Sequence, residues 1–176
     1  MKIVLHICCA VCAAGAAERL ISEEHQVLGF FYNPNIHPLE EYNRRLEAAQ
    51  QVAKELRFRL EVGPYTTDEW FGETSHLQNE PEGGKRCEVC FRHRLAKTYL
   101  YMHERGWDVF TTTLTIGPRK SVQVVNQIGQ SISRDHFLVK DFKKKDGFKR
   151  ANELAKKWDI YRQNYCGCIY SIRRRE

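Results

Sequence analysis

An apolar run rich in branched side chains, "KIVLHI" (2–7), opens the chain and predicts a buried strand. "CAAGAAERLISEE" (12–24) then reads as a helix whose first turns carry only small residues, allowing close approach to that strand. "QVLGFFYNPN" (26–35) predicts a second strand, stopped by Asn-Pro-Asn. A long helix is expected over 38–56, with Pro38 in its first turn and acids close behind. "RLEVGPY" (59–65) predicts a third strand, and residues 66–86 an irregular stretch with one short helical turn and a Pro/Gly-rich loop. A helix over 87–106 ends on Gly106. It is followed by a strand over 108–115, a turn at 117–120 and a helix over 121–135 that Ser121 can cap. A last strand is expected at 136–140, a last helix at 147–158, and a mostly irregular tail at 161–176.

Strands alternating with helices imply an α/β fold, a parallel sheet with helices on both faces. Such sheets bind ligands beyond the carboxyl ends of their strands, near a switch in strand order. The 176 residues suit a single domain, 1–176, with a normal core and no need for covalent staples. No apolar stretch is long enough to span a bilayer, and the start does not read as a secretory signal. The formal net charge of +6 favours a polyanionic partner.

The cysteines change the picture most. All 7 are clustered, as Cys8, Cys9 and Cys12, as Cys87 and Cys90, and as Cys166 and Cys168. Cysteines used as small core residues would be scattered. Clustering in a chain without a signal points to an intracellular, cytoplasmic protein using thiols for metal or redox chemistry. Cys87 and Cys90, three apart in the first turn of a helix, can reach one ion or cluster, and the helix N-terminus is expected to lower their pKa. Cys8 and Cys9 sit at the end of the first strand, where an α/β domain keeps its chemistry. Both can face one centre only where the strand has turned. A tetrahedral zinc site or a cubane iron–sulfur cluster takes four thiolates, and Cys8, Cys9, Cys87 and Cys90 suffice. Cys12 then has three open roles: replacing a neighbour as ligand, holding a second metal, or lining the pocket. Cys166 and Cys168, separated by Gly167, can close a small strained ring, which suits a dithiol that cycles. There is no dinucleotide fingerprint, P-loop or H-E-x-x-H pattern. His6 and His37 stand near strand ends, where a lone histidine more often packs than ligates.

Taken together, "LHICCAVC", "FFYNPNIHPLEEYNRR", "RCEVCFRHRL", "FTTTLTIGPRK", "DFKKKDGFKRANELA" and "YRQNYCGCIYS" resemble the QueH family of epoxyqueuosine reductases, in the family's order and over almost the whole chain. The resemblance implies reduction of epoxyqueuosine to queuosine at the wobble position of tRNA, without cobalamin. It implies a fold similar to the adenine-nucleotide α-hydrolase, or PP-loop, group. Cys8 and Cys9 stand where that group carries its pyrophosphate loop, which speaks against ATP use. Carried over by motif, Cys8, Cys9, Cys87 and Cys90 are the expected [4Fe–4S] ligands, and Cys166 with Cys168 the redox pair. An additional iron, with Cys12 beside it, is compatible with the resemblance. An external electron donor is required, and no DNA or membrane partner is expected.

For tRNA, Arg119 and Lys120, the run Lys143 to Lys145, Lys149 with Arg150, and Arg173 to Arg175 are the candidate phosphate contacts. Tyr32, Tyr42, Phe142 and Tyr161 are candidate stacking platforms, and Tyr165 is a candidate proton donor by adjacency alone. Two rival readings are an iron–sulfur tRNA sulfurtransferase of PP-loop type and a zinc-stabilised RNA-binding module.

Overall fold

The computed structural model describes residues 1–172. Four parallel strands, β1 (Lys2–His6), β2 (Gln26–Phe31), β3 (Arg59–Val62) and β4 (Val109–Thr112), form one sheet in the order β3-β2-β1-β4. β1 lies at its centre, with Ile3 against Val27 on one side and Val109 on the other. The helices are α1 (Ala10–Ser22), α2 (Leu39–Leu56), α3 (Thr67–Thr74), α4 (Lys85–Glu104), α5 (Val122–Ile132), α6 (Gly147–Lys157) and α7 (Ile169–Ile172).

The two-residue period of the strands divides the core into two layers. Ile3, Leu5 and Ile7, with Val27 and Phe31, pack under α1, α2 and α6. Val4, with Leu28, Phe30 and Tyr32, packs under α4 and α5 on the opposite face. Apolar side chains on both faces explain the near-continuous hydrophobic run of β1 and β2. α1 approaches α6 closely because of Gly15, where a Cβ would lie 2.8 Å from Ala151 Cβ and 2.9 Å from Ile116 Cδ1.

Several boundaries differ from expectation. Strands expected to 35, 65 and 115 stop at Phe31, Val62 and Thr112, and the last is followed by a 3-10 turn over Thr113–Thr115. The strand expected at 136–140 is absent and leaves a single parallel bridge between Phe110 and Phe137. Phe110 N–H donates to His136 O and Leu138 N–H to Phe110 O, after which the Thr111 hydroxyl takes Leu138 O in place of a further rung. The irregular stretch contains α3, and the tail contains α7. No described helix is long and apolar enough to cross a membrane.

The strand order reverses between β1 and β4. The loops after these two strands therefore flank a crevice at the carboxyl edge of the sheet.

Candidate active site

β1 ends at His6, whose buried ring is held between Thr112 Oγ1 (2.9 Å) and Tyr32 O (3.2 Å). This fastens the end of β1 to β4 and to the exit from β2. The next residues turn out of the sheet: Cys8 N–H donates to Thr113 Oγ1 at 3.2 Å, and Cys9, extended at φ −160°, becomes the N-cap of α1. Cys12 follows in the first helical turn. The three sulfurs of Cys8, Cys9 and Cys12 consequently lie within 4.8 Å of one another.

Cys12 and Cys9 donate their S–H groups to Cys8, and with Lys120 and Arg94 nearby this holds Cys8 well below the ordinary thiol range. Cys9 accepts from Cys12, but its donation to Cys8 and its burial push it up to about 12. Donation to both neighbours, then burial, raise Cys12. Cys8 is thereby the most acidic of the three thiols.

α4 supplies the second pair from its first two turns. Cys87 Sγ accepts from Gly83 N–H at 3.2 Å, and Cys90 is buried against Trp70 and Cys168. The expected lowering of these thiols by the helix N-terminus is not found: burial raises both. Desolvation of the charged form exceeds the helix-end effect here.

The tail brings the third group. Cys166 lines a cavity of about 210 Å³ together with Cys8, Cys9 and Cys12, and also an adjoining recess of about 150 Å³ together with Cys87. Cys168 lines neither space and packs with Trp70 and Cys90, where burial pushes it up to about 12. The structure thus gathers all three cysteine groups at one crevice. Its tightest set is Cys8, Cys9 and Cys12; Cys87 and Cys90 lie outside that 4.8 Å group. Three mutually touching sulfurs suit one ion, since Zn–S bonds of about 2.3 Å bring tetrahedral sulfurs close together. A cubane spreads its four thiolates over separate corners, which suits donors drawn from two elements.

The charges around the thiols favour an anionic centre. Arg94, one turn beyond Cys90, is fully buried, with Nε on Cys90 O at 3.3 Å, Nη1 on Asn33 Oδ1 at 3.4 Å and no carboxylate partner among the described residues. Burial opposes its charge, yet Cys90, Cys8, Cys166 and Cys87 outweigh burial and raise its pKa. Half-buried Lys120 follows the same pattern, desolvated but raised by Cys166, Cys8 and Cys12. Arg94 Nη2 and Trp70 Nε1 are buried donors without a hydrogen-bond partner. The Trp70 indole lies against Cys90 and lowers its thiol pKa in opposition to burial. A buried cation with an unpartnered N–H, and an indole N–H turned to Cys90, beside an all-sulfur donor set fit a thiolate-bound metal cluster.

The sequence did not single out Arg94, although its place four residues after Cys90 puts it on the same helical face. Arg45 and Phe148, both lining the cavity, also went unremarked. Of the proposed stacking platforms, Tyr32, Tyr42 and Phe142 are core residues. Tyr161 is half-buried and donates to Glu41 Oε2 at 2.7 Å. Tyr165 directs its hydroxyl to His37 O and packs its ring on Arg45. Arg119 and Lys120 line the cavity, and Lys144, Lys145, Lys149 and Arg150 are exposed beyond it. Lys143 instead donates to Lys120 O at 2.8 Å, and Arg150 forks onto Glu18. Arg173 to Arg175 lie outside the described residues.

Residues 3–174 match the family described as epoxyqueuosine reductase QueH. The chain belongs to the QueH family. QueH of Streptococcus pyogenes is 39% identical over 183 residues, a match covering 98% of this chain and 71% of the relative. QueH of Acinetobacter baylyi is 36% identical, covering 98% and 81%, and that of Thermotoga maritima 36% identical, covering 97% and 90%. Among solved structures, the U34-tRNA thiolase NcsA from Methanococcus maripaludis with its [4Fe–4S] cluster superposes with a TM-score of 0.60 at 12% identity, covering 97% of this chain and 61% of the thiolase. The NMN synthetase of Francisella tularensis gives 0.58 at 12% identity, covering 94% and 66%. These two similarities show that this QueH chain shares its fold with the thiolase and the synthetase.

Proposed function

We propose that the chain reduces epoxyqueuosine to queuosine in tRNA, with Cys8, Cys9, Cys87 and Cys90 holding a [4Fe–4S] cluster and Cys166 with Cys168 acting as a redox dithiol. The observation that carries this reading is the position of Cys166, which lines both the cavity of Cys8, Cys9 and Cys12 and the recess of Cys87. A thiol placed there meets substrate and cluster ligands at once.

Electron balance agrees with that placement. Opening an epoxide to an alkene and water consumes two electrons and two protons. A dithiol closing to a disulfide releases two of each, so the sum is epoxide plus dithiol giving alkene, disulfide and water. A bound cluster supplies single-electron transfer. Arg94 and Lys120 lower the cost of negative charge on the neighbouring Cys8 and Cys90 sulfurs. Tyr165, occupied by His37 O and raised chiefly by its burial, is not needed as a proton source. Cys12 completes the wall of the cavity and is available to a single additional ion with Cys8 and Cys9. An external donor must then reduce the disulfide.

The test is anaerobic assay of reconstituted protein on epoxyqueuosine-containing tRNA, with nucleoside analysis. Queuosine is the expected product. A thiolated nucleoside formed only with ATP would instead identify a sulfurtransferase, and colourless protein with stoichiometric zinc would identify a zinc-stabilised module. Cys166→Ser and Cys168→Ser are expected to keep the cluster absorbance and lose multiple turnover by at least about a hundredfold. Undiminished turnover rejects the dithiol role.

A further inference from the structure

The turn that carries the dithiol is held by a single guanidinium. Arg45, on α2, is 2% exposed and donates Nη1 to Cys166 O and Nη2 to Tyr165 O, both at 3.0 Å. Its Nε donates to Glu41 Oε1 at 2.6 Å, and Glu41 Oε2 accepts from the Tyr161 hydroxyl at 2.7 Å. The Arg45 guanidinium also lies 5.2 Å from the centre of the Tyr165 ring. From the other side His37 N–H donates to Gly167 O at 2.8 Å. Gly167 sits at φ +103°, and a Cβ there would come within 2.9 Å of Arg45 Nη1 and 3.0 Å of Ile36 Cγ1. Two consecutive carbonyls in one planar fork leave the turn little rotational freedom. In this conformation Cys166 faces the cavity, and Cys168 faces Trp70 and Cys90.

We propose that Arg45 is a positioning residue for the dithiol: its fork holds the 165–167 turn in the conformation in which Cys166 and Cys168 are unbonded thiols in different surroundings. It thereby disfavours the closed disulfide and makes that disulfide easy to reduce again. The inference rests on the dithiol reading above. Closing the ring means drawing the two sulfurs together, and any backbone rotation at 165–167 that does so moves the Tyr165 and Cys166 carbonyls against the fork. Each oxidised turn is therefore formed against charge-assisted hydrogen bonds, and a strained disulfide is the more readily reduced one. In the exchange, an external dithiol attacks the Cys166–Cys168 bond, both protein sulfurs return to thiols, and the donor leaves as its own disulfide. Epoxide opening needs no extra reducing power from the pair. Regeneration is the step that gains.

The experiment measures the thiol–disulfide equilibrium of the pair in anaerobically reconstituted protein against dithiothreitol redox buffers. Samples are quenched by alkylation and read by mass spectrometry of the tryptic peptide that begins at Gln163. Arg45→Lys keeps a charge but loses the fork. Glu41→Gln combined with Arg45→Met removes the fork without stranding a buried charge. Both are expected to move the equilibrium about tenfold toward disulfide, the worth of one to two charge-assisted hydrogen bonds, and to lower kcat with KM for tRNA unchanged. A merely structural Arg45 would lower the unfolding temperature and leave the equilibrium constant where it was, and that result overturns the proposal. If wild-type protein forms no Cys166–Cys168 disulfide in any buffer, the dithiol reading falls and the proposal with it. A tenfold shift in protein that fails to convert epoxyqueuosine would uphold the role of Arg45 and reject the substrate.

Discussion

His6 is the polar residue among the buried positions of β1, and it tolerates complete burial because both ring nitrogens have partners. Burial and then the nearby Arg94 lower its pKa to about 4, so the folded ring is neutral at physiological pH. The unfolded ring titrates near 6.5. Below that value the unfolded chain takes up a proton that the folded chain refuses, and stability falls with pH until about 4, where the loss levels off. The full contribution is about 3 kcal/mol for a shift of this size. The urea midpoint of wild-type protein is therefore expected to drop between pH 6.5 and 4 more steeply than that of His6→Gln, and parallel profiles would refute this. A lone histidine beside a cysteine pair was recognisable in the sequence as a packing residue. Its partners, Thr112 and Tyr32 O, belong to strands far away in the chain and were not. Arg94 and Arg45 escaped for the same reason: a buried cation is defined by its surroundings, and those come from distant segments.

Elements differ in how closely their neighbours approach, and two glycines show it. Gly15 in α1 meets Ala151 Cβ at 2.8 Å, Ile116 Cδ1 at 2.9 Å and Gly147 O at 3.1 Å once a Cβ is added. Gly72 in α3 is exposed with open space around it. Helix propensity favours alanine at both sites, by up to about 1 kcal/mol. Only at Gly15 does packing oppose it, with overpacking costs of about 1–3 kcal/mol. Gly72→Ala is expected to raise the thermal midpoint and Gly15→Ala to lower it. The same sign at both positions would show that α1 and α6 have room to spare. The small residues of α1 foretold close approach to the first strand, whereas at Gly15 the close neighbours come from α6 and Ile116. The segment 136–140 misled because "HFLVK" has strand composition, whereas ladder formation depends on hydrogen-bond partners. There the Thr111 hydroxyl competes for the carbonyl a further rung would use.

At the scale of the molecule, the cavity has more cationic than acidic side chains around it, with Glu82 as the acid in its lining. Arg119, Lys120 and Arg162 line the cavity, as does Phe148, which precedes Lys149; Lys144, Lys145 and Lys149 are exposed. Binding of tRNA at this face is expected to weaken about tenfold or more between 50 and 200 mM salt as counterions return to the phosphates. A flat response in a binding titration would place the contacts elsewhere. The alternation of the first four strands with the longer helices, the parallel sheet and the three groups of thiols were determined by the sequence alone. Periodicity, turn residues and cysteine spacing are local properties, and they survive without knowledge of the fold. Tertiary structure decided which sulfurs touch, which thiol is most acidic, and what surrounds Cys166 and Cys168. Those outcomes depend on desolvation and on charges brought within a few ångströms by chain closure, and no local pattern encodes them.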